Sequence, residues 1–151
     1  MNFNQSVSFI QKQIKTFQPD VGVILGSGLG PFADALESKI IIPYKDIPGF
    51  PQTTVHGHEG RMVFGLLRSR LNPKLPATRV VALQGRFHYY EGHEMEMVTL
   101  PVRILALLKI KALVVTNAAG GVNPSFRPGD VMMIQDQINF AGLSPLRGAN
   151  N

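Results

Sequence analysis

The sequence has 151 residues, of which 44% are hydrophobic and 17% charged, and its formal net charge is +5. This composition predicts one globular domain, residues 1–151, with a real core, and argues against disorder. The chain has no cysteine, which excludes disulfides and cysteine metal sites and fits a cytoplasmic protein. Since its start lacks a signal-peptide core and charges interrupt its most apolar segment, 102–115, we expect no membrane partner.

The predicted elements alternate between helices and strands, with one hairpin. In chain order they are a helix at 5–16, strand 21–26, helix 31–38, strand 40–43, a long loop at 45–60, hairpin strands 61–70 and 78–84, a helix at 95–109, a buried strand from 112, and a strand at 131–140. This order predicts an α/β protein with a mixed β-sheet flanked by helices. Ligands of such sheets bind beyond the carboxyl ends of the strands.

Basic residues cluster only at the predicted hairpin, as Arg68, Arg70, Lys74 and Arg79. The stretch lacks the interleaved aromatic residues of surfaces that stack single-stranded nucleic acid. We interpret it as a solvated hairpin tip and expect no nucleic-acid partner. The positive charge also suits an anionic small-molecule substrate.

The segment GSGLG, residues 26–30, lies between a predicted strand and a helix that starts near Pro31. Glycines let a backbone approach an anion closely, and the hydroxyl of Ser27 can donate to it. A tight turn that needs small residues is an equal alternative. A nicotinamide-dinucleotide-binding domain is a weaker one, because Gly30 comes one residue too early for the G-x-G-x-x-G pattern and the acidic candidate, Asp46, lies in a loop.

The stretch QGRFHYYEG, residues 84–92, follows an apolar strand directly. On an extended chain, side chains alternate between two sides. This parity predicts one set that lines a pocket and one that packs in the core: Arg86, His88 and Tyr90 in the first, Phe87 and Tyr89 in the second. The Arg86 guanidinium suits phosphate or carboxylate. The alternative is a surface strand with an Arg86–Glu91 ion pair.

Two further stretches carry candidate groups. In TNAAGG, residues 116–121, small side chains leave a flat backbone floor for a planar ring, or simply a tight turn. The loop 53–60 contains His56, His58 and Glu59. No third ligand is convincingly placed there, so we expect no metal site and interpret the loop as a flap with one working histidine.

Together and in this order, these features resemble the trimeric class of purine nucleoside phosphorylases, of the inosine/guanosine type. The matching stretches are VGVILGSGLG, IPGFPQTTVHGHEGR, QGRFHYYEG, LPVRILALL, LVVTNAAGGVNPSFRPGDVM and PLRG. The resemblance implies a nucleoside phosphorylase (phosphorylase/hydrolase-like) fold, here expected to be incomplete. It implies phosphorolysis of purine ribonucleosides or deoxyribonucleosides to free base and pentose 1-phosphate, with phosphate as co-substrate, no cofactor, and a homotrimer.

The resemblance also implies roles for individual residues. The implied phosphate ligands are Ser27, His58, Arg86, His88 and the backbone N–H of Ala118, of which His58, Arg86 and His88 would be catalytic. Near the ribose and base, the implied residues are Tyr90, Asn117, Ala118, Ala119 and Gly120.

The family's chain is nearly twice as long as this sequence. Its later half supplies the Glu and Asn that grip the purine, a further phosphate-binding Ser, and a His near the ribose 5′-hydroxyl. We therefore expect the 151-residue chain alone to lack phosphorolytic activity. The alternative to a working phosphorylase is a truncated, non-catalytic phosphate-binding remnant.

Overall fold

The computed structural model describes residues 3–51 and 59–147. The helices and strands are α1 (Phe3–Ile14), β1 (Val21–Ile24), α2 (Gly30–Asp34), β2 (Glu37–Pro43), β3 (Arg61–Leu67), β4 (Thr78–Gln84), α3 (Met95–Leu107) and β5 (Ala112–Val115). Short 3₁₀ turns follow β2 at Tyr44–Asp46 and β4 at Tyr89–Glu91. Within these described residues, no helix combines the length and apolar character needed to cross a membrane.

The strands form one five-stranded sheet in the order β2-β3-β4-β1-β5. β1 lies parallel to both β4 and β5, whereas β3 runs antiparallel to β2 and β4. The hairpin β3–β4 forms as predicted because two apolar runs flank a Pro-containing polar connection. The predicted mixed sheet flanked by helices is confirmed.

One face of the sheet carries the main core. α1 and α3 cover this face with buried side chains such as Ile10, Ile104 and Leu105, and they enclose Phe64 and Leu83 of the sheet. The apolar residues of α1 recur at helical spacing, so one stripe of that helix faces the sheet.

The opposite face is covered much less. Its cluster of buried residues is small and includes Val23, Ala33 and Val80. α2, with only five residues, is the helix on this side. An open apolar groove of about 340 Å³ remains along the sheet, lined by residues that include Leu29 and Val114.

Three predictions made from the sequence about helices and strands are wrong. The helix predicted at 31–38 ends at Asp34, because Glu37 and Ser38 already belong to edge strand β2. β5 forms as predicted but is exposed along its whole length rather than buried. The segment 131–140 is apolar enough for a strand, but it pairs with no strand within residues 3–51 and 59–147 and is exposed and irregular.

At the end of the sheet where β1 begins, one carboxylate joins three strands. Asp20 accepts hydrogen bonds from Arg79 of β4 at 2.8 and 3.1 Å, and it lies 2.8 Å from the ammonium of Lys111, directly before β5. The hydrogen bond from Arg79, and to a lesser extent the one from Lys111, lowers the pKa of Asp20 to about 2.

Two of the four basic residues predicted at the hairpin tip hold ion pairs. Arg79 pairs with Asp20, and Arg68 pairs with Glu37.

Candidate functional site

The carboxyl ends of three strands meet at one edge of the sheet. β1 lies between β4 and β5 and is parallel to both, so the residues that follow each of these strands emerge side by side. These residues are the GSGLG loop after β1, Arg86 after β4 and Thr116 after β5. The topology therefore brings together the strand ends that the sequence singled out.

Thr116 connects the three strand ends. Its hydroxyl accepts a hydrogen bond from the backbone N–H of Gly26 at 2.7 Å and donates to the carbonyl of Ile24 at 2.9 Å. Its carbonyl oxygen accepts from Nη1 of Arg86 at 3.0 Å. No role for Thr116 itself was predicted from the sequence, although a threonine directly after an apolar strand was a visible signal.

The GSGLG loop has a tightly packed start and an exposed middle. A Cβ at position 26 would lie 2.9 Å from the carbonyl oxygen of Thr116, so only glycine allows β1 and β5 to end this close together. Gly28 has a φ of +82°, a backbone conformation that residues with a side chain rarely adopt. The loop thereby exposes Ser27 to solvent, at the edge where Arg86 emerges.

Arg86, two residues after the end of β4, is partly buried. Its bond to the Thr116 carbonyl uses Nη1, which holds the guanidinium beside the end of β5. Arginine carries its donors in a rigid planar fork, so fixing one of them also restricts the direction of the others. The arrangement is suited to an anion with several oxygens.

His88 is held by Glu91. One carboxylate oxygen of Glu91 accepts from the backbone N–H of His88 at 2.9 Å and lies 2.6 Å from Nδ1 of its ring. The Glu91 side chain is only 4% exposed. Because a carboxylate only accepts, Nδ1 carries a proton, and Nε2 is the ring nitrogen oriented away from Glu91. From the sequence, Glu91 was considered only as an alternative partner for Arg86, so its contact with His88 was not predicted.

Strand parity predicts Phe87 and Tyr89 in the core, and the structure confirms one of the two. Phe87 is buried and packs near the rings of Tyr44 and Phe50, as predicted for a core residue. Tyr89 is 53% exposed, so its predicted core position is wrong. The reason is the 3₁₀ turn at Tyr89–Glu91, which ends the strand-like alternation after His88.

Tyr90 lies against His88. Their rings are stacked, with centroids 4.7 Å apart and planes 20° apart. Since Tyr90 is 76% exposed, this contact leaves most of its surface open. The turn thus places the Tyr90 ring directly beside the ring of His88.

The backbone after Thr116 is open. Residues 117–120 are exposed and belong to no helix or strand, and the Asn117 side chain bonds only locally, to the Ala118 carbonyl at 3.3 Å. The predicted floor, Asn117, Ala118, Ala119 and Gly120, therefore begins at the same sheet edge as Arg86. Nothing within the described residues closes it from above.

A model described as "Phosphorylase superfamily" matches residues 20–151, which includes all three strand ends. The chain belongs to the phosphorylase superfamily. Among curated relatives, it is 50% identical over 147 residues to purine nucleoside phosphorylase 1 of Geobacillus stearothermophilus, covering 97% of this chain and 50% of the relative. It is 51% identical over 138 residues to the mouse purine nucleoside phosphorylase, covering 89% of this chain and 45% of the relative.

Solved phosphorylase structures have the same fold. The purine nucleoside phosphorylase of Schistosoma mansoni in complex with acetate matches with a TM-score of 0.72 and 46% identity, covering 85% of this chain and 44% of the other. A purine nucleoside phosphorylase in complex with ribose-1-phosphate matches with a TM-score of 0.71 and 46% identity, over 85% and 44% of the two chains. The chain spans about half the length of the curated relatives it matches. The predicted family resemblance and fold are confirmed.

The sheet of this phosphorylase-superfamily chain also argues against the dinucleotide alternative. In a dinucleotide-binding unit, the strand after the glycine loop lies close to the first strand and carries the ribose-binding acid. Here β3 and β4 both lie between β2 and β1, and β2 is an edge strand of the sheet. Asp46 is exposed in the 3₁₀ turn that follows β2, far in the sheet order from GSGLG.

The histidines of the predicted flap, His56 and His58, lie outside the described residues. Within residues 3–51 and 59–147, no group of three histidine, aspartate or glutamate side chains is arranged to hold a metal ion. The polar side chains described at this sheet edge include those of Ser27, Arg86 and His88.

Proposed function

We propose that the full-length protein is a purine nucleoside phosphorylase, which cleaves purine ribonucleosides or deoxyribonucleosides with phosphate. The observation that carries this proposal is the meeting of the GSGLG loop, Arg86 and the start of the NAAGG stretch around Thr116. The names of relatives that are about half identical over nearly the whole chain support the same activity. A relative's structure in complex with ribose-1-phosphate supports the product.

Phosphate is the first substrate of this proposal. We assign it to the hydroxyl of Ser27, the guanidinium of Arg86, the ring of His88 and the backbone N–H of Ala118. His58, outside the described residues, is assigned to the same anion. The Ser27 hydroxyl, the Arg86 guanidinium and the Ala118 N–H are donors, and the guanidinium also carries positive charge that offsets the dianion. Because Nδ1 of His88 faces Glu91, His88 donates to phosphate through Nε2 in the doubly protonated form of its ring.

The nucleoside is assigned to the open side of the same edge. Tyr90 stacks on His88, and a ribose beside Tyr90 would therefore lie next to the phosphate group. Asn117, Ala118, Ala119 and Gly120 are assigned to the floor near the sugar and base. Their small side chains allow a planar purine to approach the backbone.

The chemistry follows from this arrangement. As the bond from C1′ of the ribose to the purine nitrogen breaks, positive charge develops on the sugar. A phosphate oxygen held below C1′ stabilises that charge and then forms the new C1′–O bond. The bonding pair leaves with the purine, which takes up a proton at a ring nitrogen. Arg86 and His88 act by holding the phosphate where attack is in line.

The remaining assignments follow the same resemblance. We propose a homotrimer in the cytoplasm, with inorganic phosphate as co-substrate and no metal or organic cofactor. Mass measurement in solution tests the trimer. Activity in the presence of a chelator, with purified protein and no added cofactor, tests the absence of a cofactor.

The test of the proposed function uses the full-length protein with inosine and phosphate. We expect phosphate-dependent release of hypoxanthine. Arg86→Ala should raise the phosphate KM by about 10- to 100-fold, because it removes charge-assisted hydrogen bonds to the anion. The matched control is Arg68→Ala, which removes an exposed arginine at the hairpin tip and should leave the phosphate KM unchanged.

Two results would contradict the proposal. A full-length protein that releases no base from any purine nucleoside with phosphate is not a purine nucleoside phosphorylase. An active protein whose Arg86→Ala variant keeps the wild-type phosphate KM would show that Arg86 does not bind phosphate.

A further inference from the structure

Gln84 is a buried polar side chain, 7% exposed, at the last position of β4. It lies two residues before Arg86. Burying an amide costs free energy unless its oxygen and its nitrogen both have partners. In this structure both atoms have one.

The two partners come from different parts of the fold. Oε1 of Gln84 accepts from Nε of Arg61 at 2.7 Å, and Nε2 donates to the carbonyl of Gly30 at 3.2 Å. Arginine only donates and a carbonyl only accepts, so the amide fits between them in one orientation. Glutamine is matched to this position by chemistry as well as by size.

The same bridge reaches the other end of α2. Nη2 of Arg61 lies 3.2 Å from Oδ1 of Asp34, the last residue of that helix. Gly30 is its first residue. A helix of five residues is far too short to be stable by itself, so its position depends on such attachments and on packing. Gln84 and Arg61 thus hold both ends of α2 against the sheet.

α2 directly follows the GSGLG loop, of which Gly30 is the last residue. We propose that Gln84 is a positioning residue for phosphate binding, because it sets this loop relative to Arg86. The inference rests on the proposed function. Ser27 in the loop and Arg86 after β4 must contact the same anion, and Gln84 is the side chain that joins their two backbone segments from within the core. Its loss should weaken phosphate binding more than nucleoside binding.

The test is Gln84→Glu in the full-length protein. The new carboxylate keeps the size of the side chain and can still accept from Arg61. At the position of Nε2, which donates to the Gly30 carbonyl, the carboxylate has an oxygen that only accepts. The two oxygens then repel each other. We expect the phosphate KM to rise by about fivefold or more, while kcat at saturating phosphate and the nucleoside KM stay within about twofold.

Glu37→Gln is the matched control. It makes the reverse exchange of acid and amide at the start of β2, three residues after α2, in an exposed ion pair with Arg68. All three kinetic constants should stay at their wild-type values. If Gln84→Glu does not fold, Gln84→Met removes both hydrogen bonds at similar volume and should shift the phosphate KM in the same direction.

A folded Gln84 variant with a phosphate KM within about twofold of wild type would overturn the inference. So would equal losses in kcat and in both KM values, since these indicate a general structural role. If the wild-type protein shows no phosphorolysis, the proposed function fails instead. Phosphate affinities from titration calorimetry, compared between wild type, Gln84→Glu and Glu37→Gln, would then decide whether Gln84 sets an anion site.

Discussion

Strands β4 and β5 share the same local composition of two valines, one alanine and one leucine, in the order VVAL at 80–83 and ALVV at 112–115. In β4 these residues are at most 1% exposed. In β5 the exposed fractions of Leu113, Val114 and Val115 are 38%, 45% and 62%. Both segments form strands parallel to β1, so local composition decides that each is a strand but not how deeply it is buried.

The difference comes from what surrounds each strand. β4 has β3 on one side and β1 on the other, and its side chains alternate between the main core and the smaller cluster on the opposite face. Among the residues that the structure describes, β5 has only β1 beside it, and the apolar groove runs along its face. Burial is therefore a property of the position in the sheet, which depends on residues distant in sequence.

The strongest test of this comparison is the same substitution in both strands. In the 151-residue chain, Leu83→Ala should lower the free energy of unfolding by about 2–5 kcal/mol, because it leaves a cavity in a closed core. Leu113→Ala should cost roughly 1 kcal/mol or less, because Leu113 is already partly solvated. Urea denaturation followed by circular dichroism measures both. Equal costs would show that β5 is as tightly packed as β4.

The same pair can be repeated in a longer form of the protein. If additional chain covers β5, the cost of Leu113→Ala should rise toward that of Leu83→Ala. If the cost stays small, β5 remains an exposed edge strand there as well.

The second test concerns the joint between the strand ends. Thr116→Val keeps the side chain's shape but removes the hydroxyl that bonds Gly26 and Ile24. We expect a loss of about 1 kcal/mol in unfolding free energy. Thr78→Val, at the exposed start of β4, is the control and should change stability by less than about 0.5 kcal/mol. Equal effects would mean that the Thr116 hydroxyl does not couple β1 to β5.

The smallest expected effect lies at the opposite end of the sheet, where β4 and β5 share Asp20. The pKa of this carboxyl is lowered from 3.8 to about 2 in the folded protein, so its stabilising contribution is complete above the unfolded value and is lost as the pH falls toward 2. Wild type should therefore exceed Asp20→Asn in stability at neutral pH, and the difference should shrink between about pH 4 and pH 2. A difference independent of pH would show that the ion pairs with Arg79 and Lys111 are not its cause.

Much of the fold was predictable because its signals are local. Apolar runs bounded by glycine and proline located β1, β3, β4 and β5, and the helical spacing of apolar residues located α1. The errors arose where tertiary context decides. Segment 131–140 has the composition of a strand but no partner, and Tyr89 left the core because a 3₁₀ turn replaced the extended backbone.

The same division holds for the candidate site. Arg86, His88 and Ser27 were identifiable because residues that suit an anion follow strands or glycines directly. The hydrogen bonds of Thr116 and Gln84 were not identifiable, because they join residues that are far apart in the chain. Glu91 was missed for a different reason, since its contact with His88 requires the turn that parity did not predict.

The position of β1 between two strands that come later in the chain has a consequence for folding kinetics. Val21 pairs with Val80 on one side and with Ala112 on the other. The first strand in the chain therefore cannot complete its pairing until two later strands are available. Pairings this distant in sequence are slow to form, because a long loop must close before any contact is gained. On the ribosome, the hairpin β3–β4 can form while β1 still has no neighbours. The sheet edge that carries Ser27, Arg86 and Thr116 is therefore completed only after β5 has been synthesised and has paired with β1.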